Sequence, residues 1–249
     1  MSRAYPVSFS VCLMAAAVCG AAEDATKTPA SELSPGVWGV LASPAEVESC
    51  PGVILLHGAS GWRSELARLA SDMADSGFVV LALDYYADAG PAARRKARIE
   101  KWPAYKEAVR RSVDYMESLP AVHDQPIGLV GFSRGAFLAV SVASSIPGVR
   151  AVVDFYGGGG AGTQSVKEEV RGLPPLLILH GEADEIVPVS FAKALEEAAV
   201  SSGGDVEMHI YPGAGHAFNA PYNSGYQREA AHDSYRRMMQ FLARRLKPD

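Results

Sequence analysis

The sequence predicts one α/β domain built on a mostly parallel sheet with helices on both faces. Three observations carry the prediction. Short, almost wholly apolar runs such as "GVILL" and "GLVGF" alternate along the chain with stretches whose apolar residues recur at helical spacing. These runs lack the in–out alternation of a half-exposed sheet, as strands covered on both faces do. The size fits as well: 249 residues, 48% hydrophobic and 20% charged, suit one domain with a sizeable core.

The chain opens with "MSRAYPVSFSVCLMAAAVCGAAED". Arg3 supplies a positive start, Val7 to Val18 an apolar stretch, and small residues follow, with cleavage expected after Ala21 or Ala22. The apolar stretch is short for a membrane span. Residues 1–22 are therefore read as a signal peptide, which predicts export to the periplasm or beyond and no stable membrane span after processing. Removing them takes away Cys12 and Cys19 and leaves Cys50 alone, without an internal disulfide or a cysteine metal site. Residues 23–35 are polar and proline-containing and read as a linker into a domain spanning 36–249.

Within that domain "GVWGVLAS" reads as a short edge strand and "GVILLHG" as the first buried one. Leu66, Leu69, Ala70, Met73 and Ala74 then mark a helix. "GFVVLALDYY" is the next strand, and Tyr105, Val109, Ser112, Val113 and Met116 line another helical face. "IGLVGF" is a strand followed by "RGAFLAVSVASSI", apolar nearly all round as a buried helix is. "VRAVVDFYG" and "PPLLILHG" are strands, and "SFAKALEEAAVSSGG" is a helix closed by glycines. "DVEMHIYP" alternates as a strand does, and Tyr235, Met238, Met239, Leu242 and Leu246 share one face of the last helix. "GGGG", Gly157 to Gly160, opens no helix in a G-x-G-x-x-G pattern and reads as a loop. The net charge of −5 and the absence of a long basic run point away from nucleic acid.

In open α/β sheets functional groups gather at the carboxyl ends of the strands. Four such ends deliver one here: His57-Gly58-Ala59 after "GVILL", Ser133 in "GFSRG", Asp184 in "HGEAD" and His216 in "GAGHAF". A serine hydroxyl needs a base, a histidine serves at neutral pH, and a carboxylate fixes that histidine's tautomer. The chain order Ser133, Asp184, His216 is that of α/β-hydrolases, and G-x-S-x-G here follows a predicted strand and opens a predicted helix, as a nucleophile elbow does. The amides of Ala59 and Arg134 are the candidates for an oxyanion hole. Asp154, at the end of another strand, competes with Asp184 for the acid role. His57 and His180 read as braces for their loops, Asp84 as a turn stabiliser and Glu185 as solvent-facing. Trp62, Tyr85, Tyr156 and Phe218 follow strand ends and are candidates for the substrate pocket, although simple packing explains each equally well. No H-E-x-x-H or comparable ligand cluster suggests a metal.

Together "VILLHGASGW", "GFVVLALDYYADAG", "GFSRGA", "VVDFYGGG", "LILHGEADEIVP" and "YPGAGHAF" resemble the dienelactone hydrolase family of α/β-hydrolases, from about Gly52 to Leu246. The resemblance implies a Ser133–Asp184–His216 triad, no cofactor, and a site with little or no lid. It also marks departures. The namesake enzymes carry a cysteine nucleophile where this chain has Ser133, and a glutamate where it has Gly58. Their carboxylate-binding arginines fall at Ala220 and near Asp88. Without those charges the grip on a substrate carboxylate is lost. The expectation is thus an exported serine hydrolase cleaving small ester or lactone substrates through an acyl-enzyme. A peptidase or thioesterase on the same triad, or a non-catalytic binding protein of this fold, are the alternatives.

Overall fold

The computed structural model describes residues 29–46, 49–87, 101–160 and 165–247. The residues read as a signal peptide, and Asp88, lie outside these. Eight strands form one sheet: β1 (Ser31–Ser34), β2 (Val37–Ala42), β3 (Gly52–Leu56), β4 (Val79–Leu83), β5 (Ile127–Phe132), β6 (Val149–Phe155), β7 (Leu176–Gly181) and β8 (Val206–Tyr211). Their spatial order is β1-β2-β4-β3-β5-β6-β7-β8. β1 and β2 run antiparallel, β2 runs antiparallel to β4, and every later pairing is parallel.

The apolar runs form the sheet because they are covered twice. In β3, Ile54 and Leu56 face one core and Val53 and Leu55 the other, following the two-residue period of a strand. The first core is closed by α2 (Trp102–Ser118), α3 (Arg134–Ala143) and α5 (Ser190–Ser201), and the second by α1 (Ser64–Ala74) and α6 (Arg228–Leu246). A short helix, α4 (Val166–Glu169), starts from a capping box at Ser165. β8 is half-buried through most of its length, as its place at the sheet edge requires. Among the described residues no helix is long and apolar enough to cross a membrane.

Two expectations change. "GVWGVLAS" forms β2 but is not an edge, because β1 pairs outside it. Ser31–Ser34 is therefore a strand inside the stretch read as a linker, with Ser31 opposite Gly39 and Glu32 opposite Trp38. The parallel arrangement brings the carboxyl ends of β3, β5, β6, β7 and β8 to one edge, and β5 lies between β3 and β6.

Candidate active site

Ser133 stands between β5 and α3 with φ 53° and ψ −116°. A non-glycine residue in this left-handed region carries strain of roughly 1–3 kcal/mol, so its surroundings must hold it. They do so by close packing. A side-chain carbon at Gly131 would run into the backbone of Gly135 and Ala136, and one at Gly135 into the carbonyls of Leu56 and His57. The glycines flanking Ser133 thus let α3 sit directly against β5 and β3. The Ser133 amide donates to the Phe155 carbonyl at the end of β6 (2.8 Å), tying the turn to the neighbouring strand.

His216 arrives from the loop after β8, and Asp184 from the loop after β7. The two loops are joined: the Ala183 amide donates to Ala214 O (2.9 Å), and Gly181 has no room for a side chain against the Ala214 carbonyl. His216 Nε2 lies 3.0 Å from Ser133 Oγ, and His216 Nδ1 lies 2.7 Å from Asp184 Oδ2. With a carboxylate at Nδ1, the proton belongs on that nitrogen, and Nε2 is left to accept from the serine hydroxyl. Asp184 is buried, and its Oδ1 accepts the amides of Ile186 (2.9 Å) and Val187 (2.8 Å). Those two bonds aim Oδ2 at the imidazole. Buried His180 closes the same loop, donating from Nε2 to the Val187 carbonyl (2.8 Å). Burial lowers the pKa of His180, which favours its neutral form.

The rival acid is elsewhere. Asp154 is fully buried in β6, and its Oδ1 accepts the Gly157 amide (2.8 Å) rather than pairing with His216. Burial pushes its carboxyl up to about 7, against the lowering effect of hydrogen bonds from Gly157 and Gly158.

On the other side of Ser133 lies the β3 loop. A side-chain carbon at Gly58 would sit 3.6 Å from Ser133 Cβ, so the peptide leading to Ala59 borders the serine. Gly61 N donates to Gly58 O (3.1 Å), closing the turn that contains Ala59. Arg134 is the first residue of α3, where the helix dipole is positive. His57 braces this loop as expected: Nδ1 is 2.9 Å from Gly58 O, and the ring stacks on Tyr85 at 4.0 Å. Asp84 accepts the Tyr86 amide (3.2 Å), a turn contact.

The aromatic candidates separate. Tyr85 and Phe218 are 1% and 0% exposed, so they are packing residues and drop out of the expected pocket lining. Tyr85 donates to the His57 carbonyl (2.8 Å), while Phe218 packs on Tyr211. Tyr156 is also buried, but its ring meets His216 edge-on at 4.9 Å and its hydroxyl donates to Asn219 Oδ1 (2.9 Å). Trp62 is half-buried against the core under α1 and α6. Ile186, Phe191 and Tyr222 are exposed, and the Arg63 guanidinium lies 3.9 Å above the Tyr222 ring. Sequence reasoning missed Asn219, Tyr222 and Asn223. Only the turn-forming composition of "PYNSG" hinted at the last two. Ala220 is buried in the His216 loop, its amide donating to Ala217 O (3.0 Å). Among the described residues no group of three or more His, Cys, Asp or Glu side chains is placed to hold a metal ion.

Comparison with known proteins gives a consistent result. The model of the dienelactone hydrolase family matches residues 37–246. A Synechocystis protein named "putative carboxymethylenebutenolidase" is 27% identical over 231 residues, covering 85% of this chain and 93% of that protein. The fold is shared with a dienelactone hydrolase-like promiscuous phosphotriesterase from metagenomic libraries (TM-score 0.70, 20% identity, 84% of this chain and 93% of that one). It is also shared with a propionate-bound esterase of Thermogutta terrifontis (TM-score 0.66, 18% identity, 86% and 92%).

Proposed function

Because this chain belongs to the dienelactone hydrolase family of hydrolases, we propose that it is a serine hydrolase that cleaves carboxylic ester or lactone bonds through an acyl-enzyme. The observation that carries the reading is the unbroken relay from Ser133 Oγ through His216 to Asp184.

In this mechanism Ser133 Oγ attacks the substrate carbonyl carbon while His216 Nε2 takes the hydroxyl proton. Negative charge develops on the carbonyl oxygen, and the amides of Ala59 and Arg134 receive it. As the tetrahedral intermediate collapses, His216 returns the proton to the departing alkoxide, which leaves as an alcohol. In a lactone that oxygen stays tethered to the acyl group. Water then attacks the acyl-enzyme, giving its proton to His216. The acid departs, and His216 reprotonates Ser133. Asp184 stabilises the imidazolium in both halves without itself taking a proton.

Ester rather than carboxylate-bearing lactone chemistry is supported by the residues around His216. Ala220 brings no charge to the histidine loop, and exposed Ile186 and Tyr222 on neighbouring loops and Phe191 at the start of α5 offer apolar surface. The N-terminal pattern supports export, which N-terminal sequencing of the mature protein would test.

The mechanism is tested with a fluorophosphonate probe and a panel of p-nitrophenyl esters of increasing chain length, with lactones alongside. Wild type should label stoichiometrically, and Ser133→Ala should neither label nor turn over ester. Equal labelling of the folded variant would overturn the assignment of Ser133. Labelling at Ser133 without ester turnover would leave peptidase or thioesterase chemistry as the reading.

A further inference from the structure

The backbone that carries His216 is itself strained and gripped from behind. Ala217, the next residue, has φ 53°. An alanine in this region stays there only if its neighbours over-determine it. Here one side chain spans both peptides involved. Asn223 Nδ2 lies 2.7 Å from the His216 carbonyl oxygen, to which it donates, and 3.5 Å from that of Ala217. The other end of the amide is fixed as well, since Asn223 Oδ1 accepts the Gly225 amide (3.1 Å). The Asn223 main chain is anchored on both sides, donating to Ala220 O (2.9 Å) and accepting from Tyr226 N (3.0 Å). The turn closes where Gln227 N donates to Phe218 O (2.9 Å).

We propose that Asn223 is a positioning residue for His216: its side-chain amide holds the His216–Ala217 backbone in the left-handed turn that aims the imidazole at Ser133. The inference rests on the reading of His216 as the general base. Asn223 touches no reacting atom. Its donor fixes the carbonyl from which the imidazole is suspended, and without that donor the Ala217 turn relaxes toward ordinary backbone geometry. The ring then leaves the 3.0 Å approach to Ser133 Oγ. Aspartate cannot replace it. It would keep an acceptor for Gly225 but lose both N–H donors, and it would set a carboxylate oxygen against the His216 carbonyl.

The test compares Asn223→Asp, His216→Ala and the double variant in p-nitrophenyl ester hydrolysis, with circular dichroism and thermal melting on each protein. Displacement of the base by about 1 Å lowers kcat on the order of 10²-fold in Asn223→Asp, with KM nearly unchanged. In the His216→Ala background, adding Asn223→Asp changes the residual rate by less than about twofold, because the imidazole it positions is gone. If Asn223→Asp does not fold, the neutral and shorter Asn223→Ser carries the same comparison. Wild-type kcat in a folded Asn223 variant, beside an inactive His216→Ala, would overturn this inference alone. The same loss with and without His216 would also overturn it, since the effect would then not pass through the imidazole. A fully active His216→Ala would bring down the reading of the base and this inference with it.

Discussion

Asp154 permits a quantitative test of how the two buried carboxylates near the site differ. Its carboxyl is fully buried, Oδ1 accepts the Gly157 amide, and the Gly158 amide also faces the carboxylate. Burial places its pKa at about 7 in the folded protein, against an ordinary value of 3.8. The folded state therefore binds the proton more tightly than the unfolded chain. The stability that Asp154 contributes is full below its ordinary pKa and is lost as pH rises toward the folded one, where it levels off. A gap of about three pH units corresponds to about 4 kcal/mol in all, of which about 3 kcal/mol falls between about pH 5 and 9. An asparagine in its place would keep an acceptor for Gly157 and could not ionise. In the Asp154→Asn variant the new side-chain N–H groups are buried without an acceptor beside the Gly157 and Gly158 amides, a pH-independent cost of about 1–3 kcal/mol. Urea unfolding of wild type and variant at several pH values between about 5 and 9 separates these contributions. The difference in stability should move by about 3 kcal/mol in favour of the variant as pH rises, shifting its relative midpoint by about 1 M or more at m-values of about 1–3 kcal/mol/M. Glu169 is also buried, and burial raises it to about 7, but its contribution cancels in the difference. Parallel stability curves for the two proteins across this range would refute the account of Asp154 as a buried acid held neutral.

The same variant decides between the two candidate acids: Asp154→Asn should retain kcat within a few-fold, whereas Asp184→Asn, measured in the same ester assay, should lose about 10⁴-fold by the precedent of serine triads. Loss of similar size in both would undo the assignment of Asp184. Gly135→Ala forces a methyl into the Leu56 and His57 carbonyls, and it should cost about 3 kcal/mol. That corresponds to a melting temperature lower by about 10 °C in a domain of this size. A wild-type melting curve would show that the elbow tolerates looser packing than its geometry implies.

The central strands were legible because burial on both faces leaves a continuous apolar run, a signal independent of what packs against it. β1 was not. Ser31–Ser34 is polar and half-exposed, and it is a strand only because β2 offers an edge, so its cause lies in a partner and not in its own residues. The three residues of the proposed triad were legible for a related reason. Each follows an apolar strand in a parallel sheet, and parallel strands deliver their carboxyl ends to one edge. Asp154 was left open because the direction of a side chain at a strand end depends on the strand's length to a single residue. β6 runs one residue beyond Asp154 to Phe155, which turns the carboxylate into the layer beneath α3 instead of toward His216. Tyr85 and Phe218 failed as pocket candidates because they are buried. They follow strand ends in sequence, but their rings turn back into the core.

Backbone strain marks the site without reference to any motif. Four non-glycine residues among those described have φ in the left-handed region, and three of them, Ser133, Tyr156 and Ala217, lie around His216. Each is held by contacts to a different element. Ser133 is tied to Phe155 at the end of β6, and Tyr156 donates its amide to Leu179 of β7 (2.9 Å) and its hydroxyl to Asn219. Ala217 lies under the Asn223 side chain. At roughly 1–3 kcal/mol apiece, such conformations persist only where the fold over-determines them. A scaffold that merely buried these strand ends would gain by relaxing all three. Here three loops hold them in place, and each strained residue adjoins or carries a group in the Ser133–His216 approach. The strain therefore weighs against a purely structural role for this edge of the sheet. It points to the geometry around His216 as the feature the surrounding loops are built to maintain.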